Sequence, residues 1–451
     1  MENNAVSVCL VSLGCDKNLV DSEVMLGLIR RAGYGIAAQE GQADVIVVNT
    51  CGFIKDAVQE GIDTILSLAA HKSGRCRLLI VAGCMAQRYR EEILHDMPEV
   101  DVVIGVNDFP YIADIISEAL GSRAEASQTC GPFSQIPPKE SIYGSRYLSA
   151  PLHTASVKIA DGCDNRCAYC AIPSIRGAYR SRTVENVVEE CRLLADHGVR
   201  EITLVAQDTA RYGVDIYGGP RLHDLIVEIS RISGVGWIRL LYAYPEHLTP
   251  EIIRVIATQE KVCKYLDIPI QHSHDAVLKR MGRPGSSNGV LRALVLRLRE
   301  EVQGIALRTT VMVGFPGETD EEFENLLAFI KDMRFDKLGV FKYSKEDGTP
   351  AARMPNQVKA SEKRNRFDAA MRMQQSISRE IQESLVGKTL RVMVDGQMTE
   401  KALYCGRSYR DAYDMDGSVF FPSEVDLISG DIVTIKITQA QDYDLMGIVA
   451  N

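Results

Sequence analysis

Residues 156–170 read S-V-K-I-A-D-G-C-D-N-R-C-A-Y-C, an apolar strand that runs straight into Cys163, Cys167 and Cys170. The cysteines are spaced C-x3-C-x2-C. Three thiolates this close can cap three corners of a cubane iron–sulfur cluster and leave the fourth iron without a nearby protein ligand. A cluster that only carries electrons normally has all four irons capped by Cys. An open iron is instead a place to bind a small molecule, as an open position marks a catalytic metal. Zinc would call for four ligands in C-x2-C pairs, and no second pair or close His follows. A disulfide framework suits small secreted domains, not a chain of 451 residues able to bury its own core. With 12 Cys in the chain, chance clustering is the remaining alternative.

Outward from this loop, a βα alternation runs to about residue 345. Six apolar runs read as strands: SVKIADGC, EITLVAQD, WIRLLYAYP, KYLDIPIQH, LRTTVMVGFPG and DKLGVFKYS. Helical stretches such as TVENVVEECRLLADHG and DEEFENLLAFIKDM lie between them. Six units are fewer than the eight of a closed TIM barrel, so the expectation is a partial (β/α)6 TIM-like barrel with its site at the carboxyl ends of the strands. The cysteine loop starts at one such end.

Residues 5–120 show a second alternation. VCLVSLGC ends at Cys15, ADVIVVNTC at Cys51 and RLLIVAGC at Cys84. Continuous apolar runs of this kind belong to parallel strands buried on both faces, and helical stretches such as LVDSEVMLGLIRRAGY and FIKDAVQEGIDTILSLAAHK follow them. The pattern is a doubly wound α/β domain. About one strand–helix unit separates each cysteine from the next, so each stands at the carboxyl end of its own strand, the edge where such sheets bind ligands. Three thiols distant in sequence then converge as a second cluster site. The alternative is three small buried residues. Cys9, Cys76, Cys130, Cys191, Cys263 and Cys405 have no ligand spacing and read as ordinary small side chains.

Residues 121–148, rich in Ser, Gly and Pro, read as a linker, and 149–385 as the barrel domain closed by a charged amphipathic helix over 359–385. From 386 to 451 the pattern changes to short alternating segments broken by Gly and Asp, the mark of a small antiparallel β-barrel. This last segment carries six basic and ten acidic side chains, and the whole chain has a net charge of −9. That balance disfavours a protein whose main task is to grip phosphates and suits a basic protein partner. No run approaches a membrane span and the N-terminus lacks the pattern of a signal peptide. A cytoplasmic protein is expected, where reduced thiols serve as metal ligands.

With these residues in place, the chain resembles the radical S-adenosylmethionine methylthiotransferases over nearly its whole length. C-x3-C-x-aromatic-C, with Tyr169 as the aromatic residue, matches the radical superfamily, and the LGC, NTC and AGC cysteines match the family's N-terminal domain. The last 65 residues resemble its TRAM domain. The runs LGCDKNLVDSEVMLGLI, KIADGCDNRCAYCAIPSIRG, AQDTARYG, LLYAYPE, YLDIPIQH and GRSYRDAYDMDG are similar to the branch that modifies an aspartate of small-subunit ribosomal protein twelve. The other branch modifies a tRNA adenosine near the anticodon. Asp16 departs from the family's usual LGC-P-K-N, which bears on the loop shape beside Cys15.

The resemblance implies two [4Fe–4S] clusters, one on Cys163, Cys167 and Cys170 and one on Cys15, Cys51 and Cys84, with S-adenosylmethionine on the open iron of the first. That cluster generates a 5′-deoxyadenosyl radical, which takes hydrogen from the aspartate β-carbon. The second presents the sulfur that the substrate radical captures. A low-potential electron donor such as flavodoxin or ferredoxin and a sulfur donor are implied as partners, with RNA contact secondary. A non-enzymatic iron–sulfur redox protein is the alternative from another class. Tyr169 either packs near the adenine or fills its loop. Gly314, Phe315, Pro316, Gly317 and Glu318 either line the cofactor pocket or form a plain βα turn. Gln207 and Asp208 either face the barrel mouth or hold structural hydrogen bonds. His272 and His274 read as structural.

Overall fold

The structure is a computed structural model that describes residues 6–121, 128–134, 137–149, 151–398 and 403–450. The chain divides into two compact units. One comprises Met1–Ser149, Asp161–Asn165 and Cys170–Tyr179; the other comprises Ala150–Ala160, Arg166–Tyr169 and Arg180–Asn451.

In the first unit, Ser7–Ser12, Val45–Thr50 and Leu78–Gly83 are the three strands expected from the apolar runs. They lie in a six-stranded parallel sheet whose order is Gly35–Ile36, Ser7–Ser12, Val45–Thr50, Leu78–Gly83, Val102–Val103, Thr129–Cys130. The three additional strands have two residues each, too few to register as a run in sequence. Alternate side chains of one strand feed opposite cores, as a period of two demands. Val45 and Val47 join Val24, Ile29, Ile112 and Ile116 on one face. Ile46 and Val48 join Ile65, Leu79, Val81 and Met85 on the other. Helices Asp16–Arg31 and Ile112–Gly121 cover the first face and helix Lys55–Ala69 the second, so the sheet is doubly wound.

Much of the stretch 121–148, expected as a linker, is packed. Thr129–Cys130 is the sixth strand, and Tyr143 is buried in the first core. Arg146 pairs with Glu23, whose carboxylate also accepts from the Ser149 amide at 3.0 Å and hydroxyl at 2.8 Å. Gly27 makes the crossing possible, because a Cβ there would lie 1.5 Å from the Ser145 carbonyl oxygen.

The second unit holds six parallel strands in chain order: Thr154–Lys158, Glu201–Val205, Trp237–Leu240, Val262–Asp267, Ala306–Val313 and Lys337–Lys342. This is the partial barrel that six βα units predict. Helix Asp320–Met333 starts from a full capping box between Thr319 and Glu322. Helix Ala360–Glu383 follows the last strand within the expected span.

The terminal segment closes into a five-stranded barrel of Thr389–Met398, Leu403–Ser408, Val419–Pro422, Leu445–Val449 and Ile432–Ala440. It differs from the expected all-antiparallel barrel in one pairing. Val419 and Phe420 run parallel to Leu445 and Met446, where the barrel closes between strands that are not hairpin neighbours.

Charge joins this barrel to the six-stranded sheet. Glu201, fully buried, pairs with Arg239 at 2.7 Å and with Arg407 of the barrel at 2.7 Å. Asp416 takes Arg308 at 2.7 Å and the Tyr265 hydroxyl at 2.8 Å, and Asp411 takes Lys337 at 2.7 Å. Asp395 binds Arg407 at 2.9 Å and His153 at 2.8 Å. Part of the acidic excess read as a surface for a basic partner is therefore turned inward, because Asp395, Asp411 and Asp416 neutralise cations of the chain itself.

Candidate iron–sulfur sites

Each cysteine of the dispersed trio leaves the end of its strand. Cys15 precedes helix Asp16–Arg31, and its carbonyl accepts from the Asn18 amide at 2.9 Å and the Leu19 amide at 3.1 Å. Cys51 follows Thr50, the last residue of its strand. Cys84 opens the short helix Cys84–Arg88, reached through Gly83 at φ 93°. Gly14, at φ 94°, lies so close to Cys51 that a Cβ would meet the Cys51 Cβ at 2.8 Å and its Sγ at 3.3 Å. A Cβ on Gly52 would meet the Cys84 carbonyl oxygen at 2.7 Å. Glycine is thus what lets the three loops close on one another.

Asn18 ties them together. Its amide nitrogen donates to the Leu13 carbonyl at 3.1 Å and the Thr50 carbonyl at 3.0 Å. Its amide oxygen accepts from Arg176 at 2.6 Å and lies 3.6 Å from the Cys84 Sγ. Asn49 donates to the Asn18 carbonyl at 2.9 Å, fixing that helix turn to the central strand. Burial pushes the Cys51 thiol up to about 11, with the Cys84 and Cys15 thiols adding to the shift, and burial likewise raises Cys84. Metal binding is what would make thiolates of them and release the protons.

Among the described residues, no group of three His, Cys, Asp or Glu is gathered for a single ion. A cubane asks for something else, one thiolate at each of three separate irons. Three half-buried to buried thiols on adjoining loops, backed by side-chain-free glycines, fit that demand.

The contiguous trio is held by its loop. In the first unit, the Cys163 amide donates to the Gly177 carbonyl at 3.1 Å, the Tyr179 amide donates to Asp164 at 3.0 Å, and the Cys170 Sγ accepts from the Ile172 amide at 3.5 Å. In the second unit, Cys167 Sγ lies 3.4 Å from the Tyr244 hydroxyl. Ala168 exchanges backbone bonds with Met281 and Ala351, both 2.8 Å, and so anchors the residue next to Cys167.

Tyr169 sits in an aromatic cluster of that unit. Its ring meets Phe315 edge-on at 6.5 Å, and Phe315 meets Tyr343 at 5.4 Å. This brings Tyr169 to the turn Gly314–Phe315–Pro316–Gly317–Glu318. Gly314, at φ 72°, packs against Lys363, whose Cγ would lie 2.3 Å from a Cβ there. Gly317, at φ 74°, has open space, with Arg280 Nε 3.8 Å from where a Cβ would be. Glu318 is turned inward: its carboxylate accepts from the Phe315 amide at 3.1 Å and pairs with Arg366 at 2.8 Å.

Gln207 and Asp208 follow strand Glu201–Val205. Asp208 is fully buried and 2.6 Å from His247 Nδ1. His247 stacks on Tyr244 at 5.2 Å, and the Arg283 guanidinium lies over the same ring, 4.0 Å from its centre. Asp208, His247, Tyr244 and Cys167 therefore form one chain of contacts. His272 is fully buried, its Nδ1 accepting from the His274 amide at 3.0 Å. Sequence reasoning did not single out Asn18, Arg176, Tyr244 or Arg283. The runs CDKN, PSIRG and YAYPE contain the first three, but nothing in their spacing announces a ligand role.

Residues 157–330 match the radical SAM superfamily, residues 386–449 the TRAM domain, and residues 7–105 the uncharacterized protein family UPF0004. Among solved structures, the radical S-adenosylmethionine methyltransferase TsrM from Kitasatospora setae, with cobalamin and a [4Fe–4S] cluster bound, superposes with a TM-score of 0.55. It is 14% identical over 89% of this chain and 80% of its own, a likeness of fold. The protein is a radical S-adenosylmethionine enzyme that works with iron–sulfur and S-adenosylmethionine. The ribosomal protein uS12 methylthiotransferase RimO of Geotalea uraniireducens is 50% identical over 98% of this chain and 97% of its own length. The RimO protein of Geobacter sulfurreducens is 51% identical over 99% of both. The chain belongs to the family of ribosomal protein uS12 methylthiotransferases.

Proposed function

We propose that this chain installs a methylthio group on the β-carbon of an aspartate of ribosomal protein uS12. The observation that carries the reading is the gathering of Cys15, Cys51 and Cys84 round Asn18, on a sheet separate from the strand that feeds Cys163. A radical generator with a second thiol trio has a place to keep sulfur. Cys163, Cys167 and Cys170 hold one [4Fe–4S] cluster in this account, and Cys15, Cys51 and Cys84 the other. When bound, the clusters and S-adenosylmethionine supply a hydrogen-abstracting radical and a transferable methylthio sulfur.

The chain's own residues bind, orient and exclude water. An aspartate β-C–H has no useful acidity, so a positioned base would not open it. The apolar cluster of Phe315, Tyr343, Ala351 and Tyr169 keeps the loop behind Cys167 dry. Tyr169, Gly314, Pro316, Gly317 and Gln207 line the cofactor pocket in this reading, and the Tyr244 hydroxyl, 3.4 Å away, would donate to the Cys167 sulfur once that is a thiolate. Modules spanning 5–120, 149–385 and 386–451 divide sulfur carriage, radical formation and substrate docking. A low-potential flavodoxin or ferredoxin and a sulfur donor complete the system, in the cytoplasm. No helix among the described residues is long and apolar enough to cross a membrane.

Two assays test the proposal. Reconstituted protein, reductant and S-adenosylmethionine should give 5′-deoxyadenosine, and absence of that product would return the chain to a non-enzymatic redox protein. Mass spectrometry of uS12 and of tRNA from cells lacking the chain should show the methylthio mark missing from the protein. Loss of a tRNA mark with uS12 intact would select the adenosine-modifying branch instead.

A further inference from the structure

In the second unit, the segment that joins strand Lys337–Lys342 to helix Ala360–Glu383 runs against the charge of the whole chain. From 342 to 364 there are six basic and three acidic side chains, in a chain of net charge −9. Lys342, Lys345, Arg353, Lys359 and Arg364 are exposed, and Lys363 is half-buried. Two of the three acids are turned to other partners. Glu346 is buried and accepts from the Ser344 hydroxyl at 2.6 Å, and Glu362 takes the buried Arg366 at 3.0 Å. Asp347 is the third. Among the described residues, none of the five exposed cations pairs with a carboxylate. Exposed arginines on other helices of the unit do: Arg221 pairs with Asp224, Arg231 with Glu228, Arg297 with Glu301 and Arg379 with Glu383. The free cations are thus gathered in one place.

That place is the rim of the six-stranded sheet at the carboxyl ends of its strands. Lys342 ends the last strand, with its Nζ 5.7 Å from the centre of the Phe367 ring. The Ala351 amide donates to the Ala168 carbonyl at 2.8 Å, and the Gly317 amide donates to the Asn356 carbonyl at 2.9 Å. These bonds fasten the stretch that carries Arg353 and Lys359 to the loop of Cys167 and to the Gly314–Glu318 turn. Lys363 Nζ donates to the Tyr343 carbonyl at 2.7 Å. Lys359 caps the start of helix Ala360–Glu383, and Lys363 and Arg364 lie in its opening turns. The dipole is already positive there, so cations are disfavoured and an arriving anion is favoured.

We propose that this rim binds RNA phosphates flanking uS12, so that the substrate is uS12 seated in the assembled small subunit rather than the free protein. The inference rests on the uS12 reading above. Its physical basis is charge complementarity. Ribosomal proteins as a class are basic, and a free basic chain approaching the mouth would meet five uncompensated cations. The same chain in place on the subunit is framed by a polyanion, which those cations attract. Contacts to phosphate position a protein without reading bases, and each one releases condensed counterions. Flexible, exposed lysines and arginines suit that task, and here they stand beside the pocket that the target aspartate has to enter.

The test uses the full chain, reconstituted anaerobically, as wild type and as the triple variant Lys345→Gln, Arg353→Gln, Arg364→Gln. Small subunits purified from cells lacking this chain, and free uS12, serve as the two binding partners and the two substrates. Binding to the subunits is measured between about 50 and 200 mM salt. Wild type should bind with a steep loss of affinity as salt rises. The triple variant should bind the subunits about tenfold or more weakly at the low-salt end, with a log–log salt slope shallower by about two to three, near one for each phosphate contact removed. Methylthio transfer to the subunits should fall with binding, whereas transfer to free uS12 and 5′-deoxyadenosine formation stay at the wild-type level. Equal subunit affinity and slope in the two proteins overturns the proposal. So does a variant that loses free uS12 and subunits alike while still forming 5′-deoxyadenosine, because the rim would then hold protein. If the triple variant forms no 5′-deoxyadenosine, Arg364→Gln alone decides: a slope shallower by about one supports the proposal, and an unchanged slope overturns it. A wild-type protein that transfers methylthio to neither substrate refutes the uS12 reading instead, and the salt slopes still judge the rim.

Discussion

The two cysteine trios each bring three thiols into one unit of chain or sheet by opposite routes. Cys163, Cys167 and Cys170 are fixed by eight residues of chain, so their spacing alone announces a cluster. Cys15, Cys51 and Cys84 span 70 residues and meet because three parallel strands end on one edge. A local trio needs a loop to hold it, whereas a dispersed trio needs a whole sheet and a residue that ties the loops. That residue is Asn18, with hydrogen bonds to both neighbouring loops and to Arg176. The dispersed site is therefore the one that distant substitutions can dismantle.

The largest contrast comes from removing one thiol of each trio. Cys167→Ala should abolish both 5′-deoxyadenosine formation and methylthio transfer, while Cys51→Ala should abolish transfer and leave 5′-deoxyadenosine intact, read by chromatography and by mass spectrometry of uS12. Methylthio product from Cys51→Ala would remove the division of labour.

Next in size is the charged junction in the unit that carries Cys167. Glu201→Gln leaves Arg239 and Arg407 buried without their shared anion, at a cost of about 3–5 kcal/mol in denaturant unfolding. The same carboxylate gives an acid signature. Its buried arginine partners outweigh the penalty of burial and hold it down at about 2. An unfolded Glu titrates near ~4.3, so its contribution is complete above that value and is lost as pH falls toward 2. Wild type should lose stability through this window more steeply than Glu201→Gln, with the cluster on Cys15, Cys51 and Cys84 lost no earlier in either.

Asn18→Ala should then cost about 2–3 kcal/mol, since it strands the Leu13 and Thr50 carbonyls and Arg176. Iron content should fall from two clusters to one, with the signal of the local trio retained. The smallest effect is expected at Tyr244→Phe, which removes one hydroxyl from the Cys167 sulfur. A hydrogen bond of this kind contributes about 1 kcal/mol, so 5′-deoxyadenosine formation should slow by less than about tenfold while the dispersed cluster is unaffected.

Much of this was legible in the residues. Strands buried on both faces announce themselves as apolar runs, which is why Val45–Thr50, Leu78–Gly83 and all six strands of the partial barrel were placed. The strand-end positions of Cys15, Cys51 and Cys84 followed from unit length. What stayed hidden shares one physical character: it depends on tertiary partners with no periodicity of their own. The two-residue strand Thr129–Cys130 and buried Tyr143 sit in a stretch whose composition reads as loop, yet each borrows order from the sheet beside it. Asp395, Asp411 and Asp416 count as acidic surface in sequence and are ion-paired inside. Arg176 looks like one cation among many until its partners are known. Tyr244 reads as part of a strand end and not as a neighbour of Cys167.

The most direct test of the account is the mass of the aspartate-bearing uS12 peptide from cells lacking this chain, complemented with wild type or with Cys51→Ala. The account predicts that wild type restores the methylthio mark and Cys51→Ala does not. A mark that persists in the deletion strain, or that Cys51→Ala restores, would contradict it.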